Sequence, residues 1–255
     1  MVVSGRGVEG HVRRGPGAEL DYYLVGMGGG AVAGVVVEEF VLTGDHTAAG
    51  VDSAGWSAED GAWWSSAAFC RAMRVDAELR ARVVPAGRAE AADAYRRLGG
   101  GELPDEGTLR TYFRDRAALP CSAPLLFDTP LVPDGFRELR VYRVLFAKEL
   151  GREGLARLRA AWRMDASGPG NPHGRMDAFG PGDPHGRVAG TARLRAGSDL
   201  FTWELRSIGP GVAWCLDLTA CLGGESAGAV GPLLRELTAG VRREGLIPVT
   251  VERLT

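Results

Sequence analysis

The sequence predicts an α+β protein, and three observations carry that prediction. Between about residues 137 and 255 the hydrophobic period changes several times, in the order strand, helix, three strands, helix, strand. Ahead of that stretch, Pro120, Pro124, Pro130 and Pro133 interrupt regular structure, because proline lacks a backbone donor and restricts the residue before it. Earlier still, two β-rich runs are parted by Gly28, Gly29 and Gly30 and followed by helical stretches. The expected organisation is an N-terminal hairpin-and-helices part over 1–119, a proline-rich connector over 120–136 and a C-terminal α+β unit over 137–255.

The N-terminal elements follow in order. Tyr22, Tyr23, Leu24 and Val25 form an aromatic, apolar run, and a second run ends in Phe40, Val41 and Leu42; glycines between two such runs predict a hairpin. Ser57 with Glu59 and Asp60 predicts a helix start, since a side-chain oxygen caps free N–H groups and acids suit the positive end of the helix dipole. That helix would run to about Met73 and bury Trp63, Ala67, Phe69 or Cys70. Residues 79–84 read as a short strand. Residues 88–98 read as a helix that exits through Gly99, Gly100 and Gly101. Pro104, Asp105 and Glu106 open a further helix to about Asp115.

The C-terminal pattern is cleaner. Residues 138–148 form a strand with little alternation, as a strand covered on both faces would. Residues 151–164 form a helix with Leu155, Leu158 and Trp162 on one stripe. Strands over 187–195, 200–206 and 212–221 are parted by turns at Ser198-Asp199 and Gly209-Pro210-Gly211. Val230, Leu233, Leu234, Leu237 and Val241 lie on one helical face, and 247–252 closes the series as a strand. The order resembles a ferredoxin-like (split βαβ) sheet with an extra antiparallel strand and two helices. One stretch stands apart from it. Residues 163–174 are repeated almost unchanged as 175–186, differing at Ser167/Phe179 and Asn171/Asp183. Its proline and glycine content predicts a loop over 165–187, not a helix or strand.

Composition excludes some classes of function. Hydrophobic residues make up 45% and charged residues 24% of the chain, the balance of an ordinary globular protein. A net charge of -2 is not the electrostatic footprint of a general nucleic-acid binder. Lys148 is the sole lysine among the basic residues, which reads as the codon bias of a high-GC bacterial genome, not as phosphate chemistry. The first residues carry no apolar signal core, and the longest apolar run, 31–37, is far short of the ~20 residues a membrane span needs. No CxxC pair occurs among Cys70, Cys121, Cys215 and Cys221, so buried thiols and a cytoplasmic location are expected.

Several residue groups invite a functional reading. Gly26, Gly28 and Ala31 fit a dinucleotide-binding G-x-G-x-x-A, with Asp45 at the ribose position. The helix it requires would contain Val35, Val36 and Val37, which crowd a helix and suit a strand, so a hairpin turn is the better reading and no cofactor is expected. His173 and His185, with Asp165 and Asp177, recur because the segment is duplicated, and a loop of this composition does not preorganise metal ligands. Helices at 88–98 and 105–116 imitate a helix-turn-helix whose reading residues would be Thr108, Arg110, Thr111 and Arg114. The connection between them is longer than that motif uses. The pairs Glu38-Glu39 and Glu59-Asp60 read as surface or cap residues.

The C-terminal strands carry the main candidate. Alternation places Val188, Ala192, Leu194, Phe201, Trp203, Leu205, Val212, Trp214, Leu216 and Leu218 on one face. Arg193, Arg195, Glu204, Arg206, Cys215, Asp217 and Thr219, with Thr202, occupy the other. This polar face is either a solvated surface laced with ion pairs or a surface for a small ligand or protein partner. It lacks the exposed aromatics that single-stranded RNA requires. The expected function is a non-enzymatic binding or interaction protein. The alternatives are an enzyme with its site on this face and a DNA-binding regulator using the pair at 88–116.

Overall fold

The computed structural model describes residues 19–27, 30–119, 131–165, 187–208, 213–224 and 227–255. The chain is mixed α+β, with two antiparallel sheets and six helices among these residues. The first sheet holds β1 (Asp21–Gly26), β2 (Val32–Leu42), β3 (Ala48–Ser57), β4 (Trp63–Ser65), β5 (Val83–Ala86) and β6 (Arg116–Ala118). Its order is β4-β3-β2-β1-β5, with β6 also paired to β3. The second sheet holds β7 (Glu138–Ala147), β8 (Arg187–Ala196), β9 (Asp199–Ile208), β10 (Ala213–Leu222) and β11 (Ile247–Arg253), in the order β11-β7-β10-β9-β8.

The glycine-rich N-terminal segment is a hairpin. β1 and β2 pair antiparallel from Asp21 opposite Glu38 to Gly26 opposite Val32. Met27 N–H donates to the Ala31 carbonyl, and Gly30 takes a positive φ of 87°. The run that a dinucleotide site needs as a helix is therefore a strand, as its β-branched residues require. Gly28 and Gly29 lie outside the described residues.

Two N-terminal expectations are corrected. Residues from Ser57 do not begin a helix. Ser57 ends β3, and its hydroxyl accepts from Asp60 N–H in a turn. The helix α1 (Ala67–Val75) starts after the short strand β4 and buries Ala67, Cys70, Met73 and Arg74. The strand expected at 79–84 is also displaced. The Asp76 carboxylate accepts from the N–H groups of Glu78 and Leu79 and caps α2 (Ala77–Ala81), so the extended stretch begins at Val83. α3 (Arg88–Arg97) matches its expectation and exits through Gly99 at φ 93°. α4 (Glu106–Thr111) starts on the Asp105 cap but holds six residues, shorter than expected.

β3 gave no strand signal because Ala48, Gly50, Ser53, Ala54 and Gly55 are small and not β-branched. It is nevertheless buried along almost all its length. Close packing demands its glycines: a Cβ on Gly50 would come within 2.8 Å of the Arg116 side chain. A Cβ on Gly55 would sit 2.5 Å from the Trp64 ring.

In the C-terminal half the hydrophobic pattern and the structure coincide closely, except that β7 is not covered on both faces: Tyr142, Val144 and Phe146 are buried, and Val141, Arg143 and Leu145 on the other face are part-exposed. α5 (Arg152–Ala161) buries Leu158, and α6 (Val230–Arg243) buries Val230, Leu233, Leu234, Leu237 and Val241. Each such side chain contributes roughly 1.5–3 kcal/mol of transfer free energy. They pack on Trp203, Trp214, Leu205, Leu216 and Leu218, all buried on the inner face of the sheet. Trp162 meets Trp203 edge-on at 6.5 Å and lies against Gly240, where a Cβ would come within 2.8 Å of the ring. β10 and β11 both run antiparallel to β7, which lies between them, and α6 connects the two.

A buried ionic seam joins the halves. The Arg74 guanidinium donates to both Glu38 carboxylate oxygens at 3.1 and 2.6 Å, to Cys70 O and to Pro248 O. Tyr23 donates to Glu38 Oε1 at 2.7 Å. Arg242 of α6 lies over the Tyr23 ring and pairs with Asp21 at 2.6 Å. Glu38 is fully buried, contrary to its reading as a surface acid. β2 is covered on both faces, so an acid within it needs an internal cation. Lys148 reaches across to the Val83 carbonyl. Most of the connector at 120–136, and the duplicated loop apart from Asp165 and Arg187, lie outside the described residues.

Candidate functional site

The polar face of the second sheet is assembled by register. Across the ladders, Glu252 pairs with Arg143, Arg143 with Asp217, Asp217 with Glu204, and Glu204 with Thr191. The next row on one side runs Leu145, Cys215, Arg206, Val188, and on the other Val141, Thr219, Thr202, Arg193. All seven expected site residues thus share one face. Val188 does not lie on the inner face as expected. The register shift between Val188 and Gly190 sets it opposite Arg206, because a bulge reverses the alternation beyond it. Val212 lies outside the described residues.

The charges at the centre of this face neutralise one another. Arg143 grips Asp217 with two parallel bonds, Nε to Oδ1 at 2.7 Å and Nη2 to Oδ2 at 2.8 Å. Arg206 Nε lies 3.6 Å from the same carboxylate, and Arg206 Nη2 donates to Glu204 Oε2. The bidentate geometry keeps Arg143 firmly protonated. Cys215 is fully buried beneath these side chains. Burial, reinforced by the Asp217 charge, pushes its thiol up to about 12. A thiol held there is protonated at neutral pH and is a poor nucleophile or metal ligand.

The margin of the face differs. Arg193 and Arg195 on β8 are exposed and have no ion pair among the described residues. Leu194 between them is 44% exposed on the opposite side of the strand. Thr202 and Thr219 lie half-buried between this cationic margin and the neutral centre.

The other candidates are placed as follows. Eight residues, 98–105, separate α3 from α4. Arg110 spends its guanidinium on Glu39 at 2.9 Å, Thr108 bonds Asp105, and Thr111 bonds the Thr108 carbonyl. Asp45 accepts from the Thr43 hydroxyl and the Thr47 N–H in the β2–β3 turn. Asp165 N–H donates to Thr191 O; Asp177, His173 and His185 lie outside the described residues. No cluster of three metal-ligating side chains occurs among the described residues, and none of their helices is long and apolar enough to cross a membrane.

Two hollows lie away from the polar face. One, of about 220 Å³, is lined by Asp52, Phe113, Arg114, Asp115 and Arg116. The other, of about 70 Å³, is apolar and lies by Val36, Trp56, Trp64 and Phe69. Both are smaller than the ~300 Å³ of a typical small-molecule site. Sequence reasoning missed the seam acids and cations. The signal was present: Arg74 continues the stripe of Ala67, Cys70 and Met73 on α1, and Glu38 directly follows Val35-Val36-Val37. The chain matches no model of a known protein family, no curated protein and no solved structure.

Proposed function

We propose that this chain is a non-enzymatic binding protein, cytoplasmic in location, that presents the polar face of its second sheet to a protein partner. One observation carries the reading. The face is broad and internally neutral at Arg143, Asp217, Arg206 and Glu204, yet ends in Arg193 and Arg195, cations with no ion pair among the described residues. Groups that neutralise one another leave none poised for acid–base work, and the thiol among them is buried and protonated. A mixed polar surface with a charged rim suits a protein interface. The parallel pair β10 and β11, joined by α6 and split by β7, supports a ferredoxin-like unit with β8 as a further antiparallel strand.

The test is affinity capture from the cells that make the protein, comparing the wild type with Thr219→Trp. That substitution fills the face between its neutral centre and its cationic margin without altering its charge. The expected result is a protein retained by the wild type and lost by the variant. Equal retention by both, or turnover of any substrate in a broad activity screen, refutes the reading.

A further inference from the structure

We propose that β8 is a docking edge that takes an extended acidic segment of a partner protein as an added strand. This rests on the binding reading above and specifies its chemistry. Sheet edges in folded proteins are normally blocked, because their free N–H and C=O groups pair with any strand that approaches. The other long edge of this sheet is blocked in that way. β11 carries Pro248, and Arg74 Nε donates to the Pro248 carbonyl at 3.0 Å. In the first sheet, the edge strand β5 contains Pro85, and Lys148 occupies its Val83 carbonyl.

β8 is blocked over one half. Arg159 donates to Ala189 O, and Asp165 N–H donates to Thr191 O at 2.9 Å. The Thr191 bond fixes the polarity of the strand. Successive residues point their backbone groups to opposite sides, so with Thr191 facing outward, Arg193 and Arg195 face outward too. Ala192 and Leu194 face β9, opposite Trp203 and Phe201. Among the described residues, no backbone bond to the outer edge of β8 continues past Thr191. Arg163 takes a positive φ of 49° and leads back into α5. Arg193, Leu194 and Arg195 are left exposed.

The side chains at this opening select the occupant. Arg193 and Arg195 point to the polar face, and Leu194 points to the other. An added strand places its own side chains beside them in the same alternation. Acid, apolar residue, acid is the pattern that meets two exposed guanidinium groups and an exposed leucine. A basic strand, or a second copy of β8, would set arginine beside arginine.

The experiment uses a fluorescein-labelled octapeptide of alternating glutamate and valine, with fluorescence anisotropy on the full chain. Binding to the wild type is expected. Arg193→Glu with Arg195→Glu should weaken it at least tenfold and create binding to the matching lysine–valine peptide. Arg193→Pro removes one outward N–H without touching the β8–β9 ladder, since proline is tolerated where a strand faces solvent. Because it also removes the Arg193 charge, it is read against Arg193→Ala, which removes the charge alone, and it should weaken the peptide at least tenfold more than Arg193→Ala does. Should that variant fail to fold, Arg195→Pro makes the same cut two residues on. Binding by a proline variant equal to that of the alanine variant at the same position means charge attraction without an added strand, and overturns the proposal. So does absence of binding to the wild type, or sedimentation showing that the chain pairs with itself through this edge. If the peptide fails while Thr219→Trp still loses a captured protein, the edge proposal fails and the binding reading stands.

Discussion

Two sets of ionic groups in this molecule use the same residue types to different ends. At the seam, Glu38 and Arg74 are sealed between the two sheets, with side-chain exposures of 0% and 4%. On the polar face, Asp217 and Arg143 form an equally short pair but keep 14% and 23% exposure. The contrast teaches that ion-pair geometry alone does not assign a role. Where water is excluded, losing one partner strands a charge that nothing else can solvate. Where water remains, the surviving group is rehydrated and the pair is worth little.

The largest expected effect tests the sealed set. Glu38→Ala should lower unfolding stability by about 3–5 kcal/mol, read from urea denaturation. The Tyr23 hydroxyl and the Arg74 guanidinium then lose their acceptor together. A loss below about 1 kcal/mol would erase the distinction from a surface pair.

Asp21 sharpens the comparison through pH. Burial raises its pKa from 3.8 to about 6, against the opposing pull of Arg242. The folded state therefore holds this proton more tightly than the unfolded chain. Its contribution is complete below pH 3.8 and lost as pH rises through about 6. Relative to Asp21→Asn, the wild type should lose up to about 3 kcal/mol between pH 4 and pH 7. The side chain keeps 23% exposure, so the lower part of that range is expected. Parallel pH profiles for the two proteins would contradict the assignment.

Smaller effects belong to the polar face. Asp217→Ala should cost about 1–2 kcal/mol, because the pair is bidentate but partly hydrated. The same substitution uncovers Cys215. A thiol reagent should leave Cys215 unmodified in the folded wild type and label it faster in the variant, as followed by peptide mass. Rapid labelling of the wild type would show that the face is open to its floor.

The C-terminal half was readable from sequence because its strands and helices bury one face each, and burial of that kind writes a period. Leu233, Leu234, Leu237 and Val241 fixed α6, and Trp203 and Trp214 fixed the inner face. The N-terminal half hid β3, whose Gly50 and Gly55 answer to the bulk of Arg116 and Trp64, not to strand propensity. The seven residues proposed for the face do share it, yet alternation could not tell that Cys215 is covered while Arg193 and Arg195 have no ion pair among the described residues. Those distinctions depend on side-chain reach between strands distant in sequence. The bulge that turns Val188 is likewise a local insertion that strict alternation overlooks.

Amide hydrogen exchange along β8, resolved residue by residue by NMR, tests the open edge most directly. Ala192 and Leu194, bonded towards β9, should be strongly protected, while Arg193 and Arg195 should exchange at nearly the rate of free chain. Equal protection at all four positions would mean that the edge is already occupied, and would contradict the account.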